Sequence, residues 1–353
     1  MNNRYAIVLA AGKGSRMKSL IGDHSKVSFP IMGKPIIEYV LDAIKPLGFD
    51  ETIVIAGFAG ETTKRIVGDK ATVIQATEIA ETASSVNFAR ELLGDKKGLT
   101  LIVFGGLPLL TAETLERVFK KHIKNGNDLT MLTSVLENPS GYARIIRDHK
   151  TNRVVAIREE DKCDEYQLGI SEVHSGVYLF NNELLFKYLT RNTYTLSEVV
   201  EKFVKAKAKV EAYVLEDAVE MFSINDRTHL AYAARVIRKR VNHRLMLQGV
   251  SFEDPDTSYV SPDVQIGPDT IILPNTTILG NTTIGKNNWI GPNAYLNNVS
   301  MGDDSVISFT WMQNVKIGNK VKVEPYTKVS DSELGDNVVV KSFTEVKDKK
   351  LKA

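Results

Sequence analysis

Apolar positions along this chain change their spacing three times, and each change marks a different kind of structure. Tyr5–Ala11 is a continuous apolar run that ends in Gly12, Lys13 and Gly14. Such a run predicts a strand buried on both faces that enters a glycine loop. Pro35–Leu47 then carries Ile36, Ile37, Val40, Leu41 and Ile44 at helical spacing. Short β-branched runs at Thr52–Ala56, Thr72–Gln75 and Leu99–Phe104 read as strands. Thr62–Val67, Ser85–Leu93 and Thr111–Lys124 read as helices, the last opened by Thr111 as N-cap with Glu113 and Glu116 near its start. Strands alternating with helices predict a mostly parallel, doubly wound sheet. Right-handed crossovers gather the loops that follow the strands at one edge, where ligands bind.

Beyond residue 128 the connections shorten. Leu129–Val135, Arg144–Arg147, Val154–Arg158 and Gly176–Phe180 read as strands that extend the sheet and wall off a substrate side. Asp226–Leu247 is one long helical segment, with Leu230, Ala234, Ile237, Val241 and Leu245 along one face. Arg235, Arg238, Lys239, Arg240 and Arg244 surround that stripe. A basic helix can bind phosphates, but such charges more often form a solvated face, and the segment reads as an arm joining two domains.

The last third repeats with a period of six. Val260, Ile266, Ile272, Ile278, Ile284, Ile290 and Leu296 form the first series, and after a slip of one it resumes at Met301 and Ile307. It continues at Ile317, Val323 and Val329, then at Leu334, Val340 and Val346. Glycine follows the aliphatic residue at Gly267, Gly285, Gly291, Gly302, Gly318 and Gly335. Neither a helix nor an alternating strand needs that period, whereas a hexapeptide β-helix sends one aliphatic inward from each flat side of a triangular coil. About five coils are expected. Trp289, Trp311 and Phe309 mark either an interface or packing at a corner.

Composition narrows the class. The chain has 353 residues, 43% hydrophobic and 25% charged, which favours two globular domains over one. A formal net charge of +2 gives no field that would favour nucleic acid or a membrane surface. Cys163 stands alone, so no intrachain disulfide forms. No run approaches the roughly 20 apolar residues of a membrane span, and a cytoplasmic protein is expected.

The chemistry concentrates in Leu9–Met17, LAAGKGSRM, with Lys26 downstream. Ala10, Ala11, Gly12 and Gly14 let the backbone approach a ligand closely, and loop N–H groups cradle phosphate oxygens. Arg16 and Lys26 neutralise a polyphosphate, one by bidentate geometry and one as a point charge. The spacing is not that of a Walker loop, and the third glycine of a dinucleotide fingerprint is missing.

On these residues, together with Gly33–Pro35, the PSGYARI stretch at Pro139–Ile145 and the hexapeptide coils, the chain resembles the bifunctional N-acetylglucosamine-1-phosphate uridyltransferase/glucosamine-1-phosphate acetyltransferase family. The resemblance implies an α/β fold: a Rossmann-like nucleotidyltransferase domain of GT-A type over 1–225, an arm over 226–250 and a short left-handed β-helix over 251–353. It implies UTP and a sugar 1-phosphate such as N-acetylglucosamine 1-phosphate as substrates, release of pyrophosphate, a Mg²⁺ cofactor and a homotrimer. Acetyl transfer is not expected, because the family carries it in later coils.

Position by position, Arg16 and Lys26 match the catalytic cations. Leu9, Ala10, Ala11, Gly12 and Gly14 match the nucleotide loop, and Gln75 the residue that reads uracil. Gly141, Ala143, Glu159 and His174 fall at sugar-binding positions, and Asn225 at a metal-side position. Several positions depart from the pattern. Gly106 stands where a metal-binding Asp is expected, and Ala80 and Glu81 stand where a Gly-Thr pair contacts the base. Ala143 replaces a Gly, His174 an Asn, Ser25 a proline, and Asn192–Thr195 a Gly-Glu-Tyr-Tyr stretch. Glu78, Glu81 and Asp226 are candidates to supply the missing carboxylate.

Three functions follow: a working nucleotidyltransferase, a degenerate relative that binds a nucleotide, a sugar phosphate or only another protein, or a transferase of altered substrate choice, since base-side and sugar-side positions differ. A structural, hydrogen-bonded role for His174 outweighs a basic one. Glu159 and Glu160 need not act as an acid–base pair, because a phosphate nucleophile is already anionic. Cys163 lacks the partner a nucleophile requires.

Overall fold

A computed structural model describes residues 3–20, 24–76 and 81–353. The chain divides into two compact units, residues 1–29 with 35–230, and residues 30–34 with 231–353.

The first unit is built on a nine-stranded sheet. Its strands are β1 (Arg4–Ala10), β2 (Glu51–Ala56), β3 (Thr72–Gln75), β4 (Leu99–Phe104), β5 (Leu129–Val135), β6 (Arg144–Arg147), β7 (Val154–Arg158), β8 (Glu172–Asn181) and β9 (Val210–Val214). The main path runs β9-β5-β8-β4-β1-β2-β3, with β6 and β7 continuing off β8. β4, β1, β2 and β3 are mutually parallel, in a register that sets Leu9 beside both Ile55 and Phe104. β8 runs antiparallel between β4 and β5, and it carries the antiparallel pair β6 and β7 that extends the sheet.

The apolar run of β1 serves two cores. Tyr5 and Ile7 point into one and Ala6, Val8 and Ala10 into the other, as the two-residue period of a strand covered on both sides requires. Helices cover both faces: α1 (Ile36–Ile44), α2 (Gly60–Val67), α3 (Thr82–Asn87), α4 (Arg90–Leu93), α5 (Ala112–Asn125), α6 (Glu165–Leu168), α7 (Asn182–Tyr188) and α8 (Leu196–Lys205). Thr111 caps α5 by accepting from the Thr114 N–H at 3.3 Å. The single helix expected over Ser85–Leu93 is two short ones with a break at Phe88 and Ala89.

α9 (Arg227–Leu247) is a single helix. Ala233, Ile237, Val241 and Leu245 are buried along it, so the apolar stripe is displaced by one residue at Ala233 from the Leu230–Ala234 reading. Arg235, Lys239 and Arg244 lie in solvent. Arg238 does not: it is buried, pairs with Asp256 at 3.2 Å and lies 5.0 Å from the Tyr259 ring. Among the described residues no helix is long and apolar enough to cross a membrane.

The second unit is a parallel β-helix whose strands stack in three columns. Val260, Ile278, Leu296, Met312, Val329 and Val346 are consecutive register partners in one column. Ile272, Ile290, Ile307, Val323 and Val340 form the second. Ile266, Ile284, Met301, Ile317 and Leu334 form the third. All are buried. Met312, missing from the sequence series, fills its gap, because the coil shortens from 18 residues (278 to 296) to 16 (296 to 312). Asn and Asp occupy many of the corners with positive φ, among them Asp269, Asn275, Asn287 and Asn293, as their tolerance of the left-handed region predicts.

Candidate active site

The loops after β1 and β4 meet at the edge of the first sheet where the parallel strands end. Leu9, Ala10, Ala11, Gly12, Lys26, Glu81, Thr82, Ser85, Phe104 and Gly106 line one cavity there, of about 220 Å³. The two glycines of the loop do different work. Gly12 is exposed, and a side-chain carbon placed on it would meet nothing within 4 Å. Gly14 has φ +67°, and such a carbon would sit 2.6 Å from Cβ of Lys26. Gly14 therefore lets the chain pack flat on Lys26, while Gly12 leaves open backbone. Arg16 follows in a single 3₁₀ turn and is exposed.

Lys26 is the centre of the arrangement. Burial, with a further push from the Arg16 charge, lowers its pKa to about 8. Its ammonium donates to Asn225 Oδ1 at 3.4 Å. A side-chain carbon on Gly106 would lie 3.0 Å from that nitrogen and 3.4 Å from Ser223 Oγ. The Gly106 carbonyl in turn accepts from the Ile224 N–H at 2.9 Å, which ties the 223–225 segment to the loop after β4. Ser223 and Phe104 are members of this site that the motif reading missed. Phe104 ends its strand one residue before the glycine pair, and that position was a usable signal.

The base-side position lies at the end of β3. Gln75 donates to the Gly57 carbonyl at 2.8 Å, so its amide nitrogen is held on the neighbouring turn, with Phe58 N–H bonded to Ala11 O at 3.4 Å beside it. Ala80 and Glu78 lie outside the described residues.

The sugar-side positions come together around β6, β7 and β8. Gly141 (φ +84°) donates its N–H to Glu160 Oε2 at 2.8 Å. The other oxygen of Glu160 accepts from buried Arg144 at 3.2 Å, and Arg144 also holds Pro139 O at 2.8 Å. Glu160 is thus a clamp on the 139–144 turn. Glu159 is exposed and accepts from Ser197 Oγ at 3.2 Å. Ala143 is buried, and its carbonyl accepts from the His174 N–H at 3.1 Å. His174 Nε2 accepts from the Gly176 N–H at 3.1 Å, and its ring contacts Phe104 and Tyr178. Burial lowers its pKa to about 4, so the ring is neutral near pH 7. The 192–195 stretch closes on α3, with Ala83 N–H donating to Tyr194 O at 2.8 Å. Cys163 has only weak contacts to backbone carbonyls, and burial first of all raises its pKa.

At the expected magnesium position Gly106 offers no side-chain ligand. Among the described residues no three His, Cys, Asp or Glu side chains cluster to hold a metal ion. Asn225 contributes one amide oxygen, and it already faces an ammonium. Asp226 is committed to the start of α9, accepting from Thr228 N–H (2.9 Å), Thr228 Oγ (2.7 Å) and His229 N–H (2.9 Å). Glu81 reaches the cavity lining as a single carboxylate. Mg²⁺ takes near-octahedral oxygen ligands, usually one or two carboxylates with substrate phosphates and water as the rest.

A family model described as nucleotidyl transferase matches residues 5–231. Bifunctional protein GlmU of Bacillus subtilis (strain 168) is 36% identical over 337 residues, covering 93% of this chain and 73% of that protein. The chain belongs to the GlmU family of nucleotidyl transferases. Bifunctional protein GlmU of Halalkalibacterium halodurans is also 36% identical, over 336 residues and the same shares of each chain. The protein of that name from Enterococcus faecalis is 40% identical over 274 residues, 76% of this chain, and the match spans 59% of its length. Family membership agrees with a mixed sheet followed by a parallel β-helix.

Proposed function

We propose that this chain is a sugar-1-phosphate uridylyltransferase, taking UTP and a sugar 1-phosphate of the N-acetylglucosamine 1-phosphate type. The observation that carries this reading is the half-buried Lys26 ammonium beside the open Leu9–Gly12 backbone in one cavity at the end of the parallel strands. Backbone N–H groups and two cations, Lys26 and Arg16, suit a polyphosphate. The sugar 1-phosphate would lie toward Gly141, Ala143, Glu159 and His174, with Gln75 on the base side. An oxygen of its phosphate attacks the α-phosphorus of UTP in line. The bond from that phosphorus to the β-bridging oxygen breaks, and pyrophosphate leaves with both electrons. No proton has to move, because the nucleophile is an anion. Lys26 stabilises charge on the leaving group, and the fixed loop supplies orientation. In a pyrophosphate-release assay over several nucleoside triphosphates and sugar 1-phosphates, turnover should exceed a Lys26→Ala control by at least a hundredfold. Equal rates would overturn the reading.

Gly106 favours a second reading, in which the chain binds a nucleotide or sugar phosphate without turning it over. Calorimetric binding of UTP without pyrophosphate release would select it. We propose in addition that the β-helix supports a homotrimer, and that neither nucleic acid nor membrane is a partner.

A further inference from the structure

Lys26 lies where a metal-binding side chain would otherwise reach. A side-chain carbon at Gly106 would be 3.0 Å from the Lys26 nitrogen and 3.2 Å from its Cε, so the glycine makes the space that the ammonium fills. Among the described residues this ammonium donates to the neutral Asn225 amide oxygen at 3.4 Å. Asp226, next to Asn225, uses one carboxylate oxygen for three bonds at the start of α9, and Glu81 lines the cavity. A half-buried cation bonded to a neutral acceptor is electrostatically incomplete, and an anion completes it. A second positive ion at the same place would be repelled by it.

We propose that Lys26 takes the place of a divalent cation in this pocket, so that nucleotide polyphosphate binds here without metal. This rests on the reading that the cavity takes a nucleotide. It deepens that reading by naming the ionic form recognised: the free, fully charged polyphosphate.

Isothermal titration of the full chain with UTP tests it, once in excess EDTA and once in excess Mg²⁺. The expected result is a Kd in EDTA equal to or tighter than that in Mg²⁺. A Kd at least tenfold weaker in EDTA overturns the inference and leaves the nucleotide reading standing. Absence of UTP binding in both buffers removes the nucleotide reading, and the inference with it. Two variants sharpen the result. Gly106→Asp sets a carboxylate against the flexible tip of Lys26, so the fold can absorb it. UTP binding by this variant in EDTA should fall at least tenfold and return with Mg²⁺. Lys26→Met, checked for folding by circular dichroism, should lose binding in EDTA, and retention of wild-type affinity would overturn the proposal. Water-proton relaxation with Mn²⁺ as the probe supplies a readout independent of nucleotide. The unaltered chain should show no tight Mn²⁺ site and Gly106→Asp should gain one. A tight site in the unaltered chain counts against the inference.

Discussion

At the scale of single residues, the glycines of the first loop are separable. Gly14→Ala forces an L-residue to φ +67° and drives its methyl to 2.6 Å from Lys26 Cβ. The left-handed backbone alone costs about 1–2 kcal/mol, and the clash displaces the lysine. A Tm loss of several degrees and at least tenfold weaker UTP binding are expected together. Gly12→Ala meets no protein atom, so its Tm should hold. If its UTP affinity also holds, close approach of ligand to that backbone is wrong. The loop and its cations were legible from sequence because a glycine run after a buried strand has few uses. The pairing of Lys26 with Asn225 and the space at Gly106 were not, because they join segments roughly 80 to 200 positions apart, a proximity that only the folded sheet creates.

Two histidines, His122 buried and His174 largely so, set an acid limit. His122 bonds Thr130 Oγ1 at 2.9 Å through Nδ1, and its pKa is lowered to about 4, chiefly by burial, against opposing pushes from Asp128 and Glu211. His174 is likewise lowered to about 4 by burial. In each case the native state binds the proton less well than the unfolded chain. The stability is therefore complete above about pH 6.5 and is lost as pH falls through about 4. Each contributes at most about 3 kcal/mol. Thermal melts between pH 7 and 4 should show Tm falling with acid, and His122→Leu should show a shallower slope. An unchanged slope would mean that His122 protonates in the native state without cost.

At the scale of elements, the cap of α5 and the 223–225 segment are linked through Glu220. This buried carboxylate accepts from Thr111 N–H (3.0 Å), Thr111 Oγ (2.8 Å) and Thr114 Oγ (2.7 Å). Glu220→Ala strands those donors, at a cost of about 2–3 kcal/mol, and loosens the turn that leads to Ser223 and Asn225. Thr111→Ala removes the cap and one of those donors but leaves the Thr111 N–H and Thr114 Oγ bonds to Glu220, at about 1 kcal/mol. Chemical denaturation should rank Glu220→Ala as the more damaging, and that variant alone should also weaken UTP binding. The long regular elements were legible because their periods are long enough to stand out. α7 and α8 were passed over, although Thr195 accepts from Glu198 N–H at 3.2 Å and Glu198 returns a bond to Tyr194 N–H at 2.9 Å. The T-x-x-E spacing was the available signal. The break at Phe88 and Ala89 carries no comparable mark in the sequence.

At the scale of the molecule, the period-six repeat was the most legible feature, because each coil must place an aliphatic residue inward to be buried at all. What it could not convey is the outside of the prism. Ile271, Trp289, Val306, Lys322 and Val339 form the outward column of one face, as register partners of successive coils. Trp289 and Val339 are each 50% exposed. At the next corner Tyr326 lies tilted against Phe309 at 5.7 Å and stacks on Phe343 at 5.3 Å, all three at positive φ, where the same column earlier holds Asn275 and Asn293. Bulky residues in that conformation carry strain, and water is a poor neighbour for this apolar surface, which Lys322 alone interrupts in its column. Burial against other copies accounts for both, so this face and corner are where the homotrimer should close. Light scattering should give three times the 39.2 kDa chain mass, and a double Trp289→Lys, Val339→Lys variant should fall to one chain with its β-helix intact by circular dichroism. A wild-type chain that stays monomeric at every concentration would remove the trimer and leave the aromatic corner without an account, since strain kept for no contact has no physical reason to persist over three successive coils.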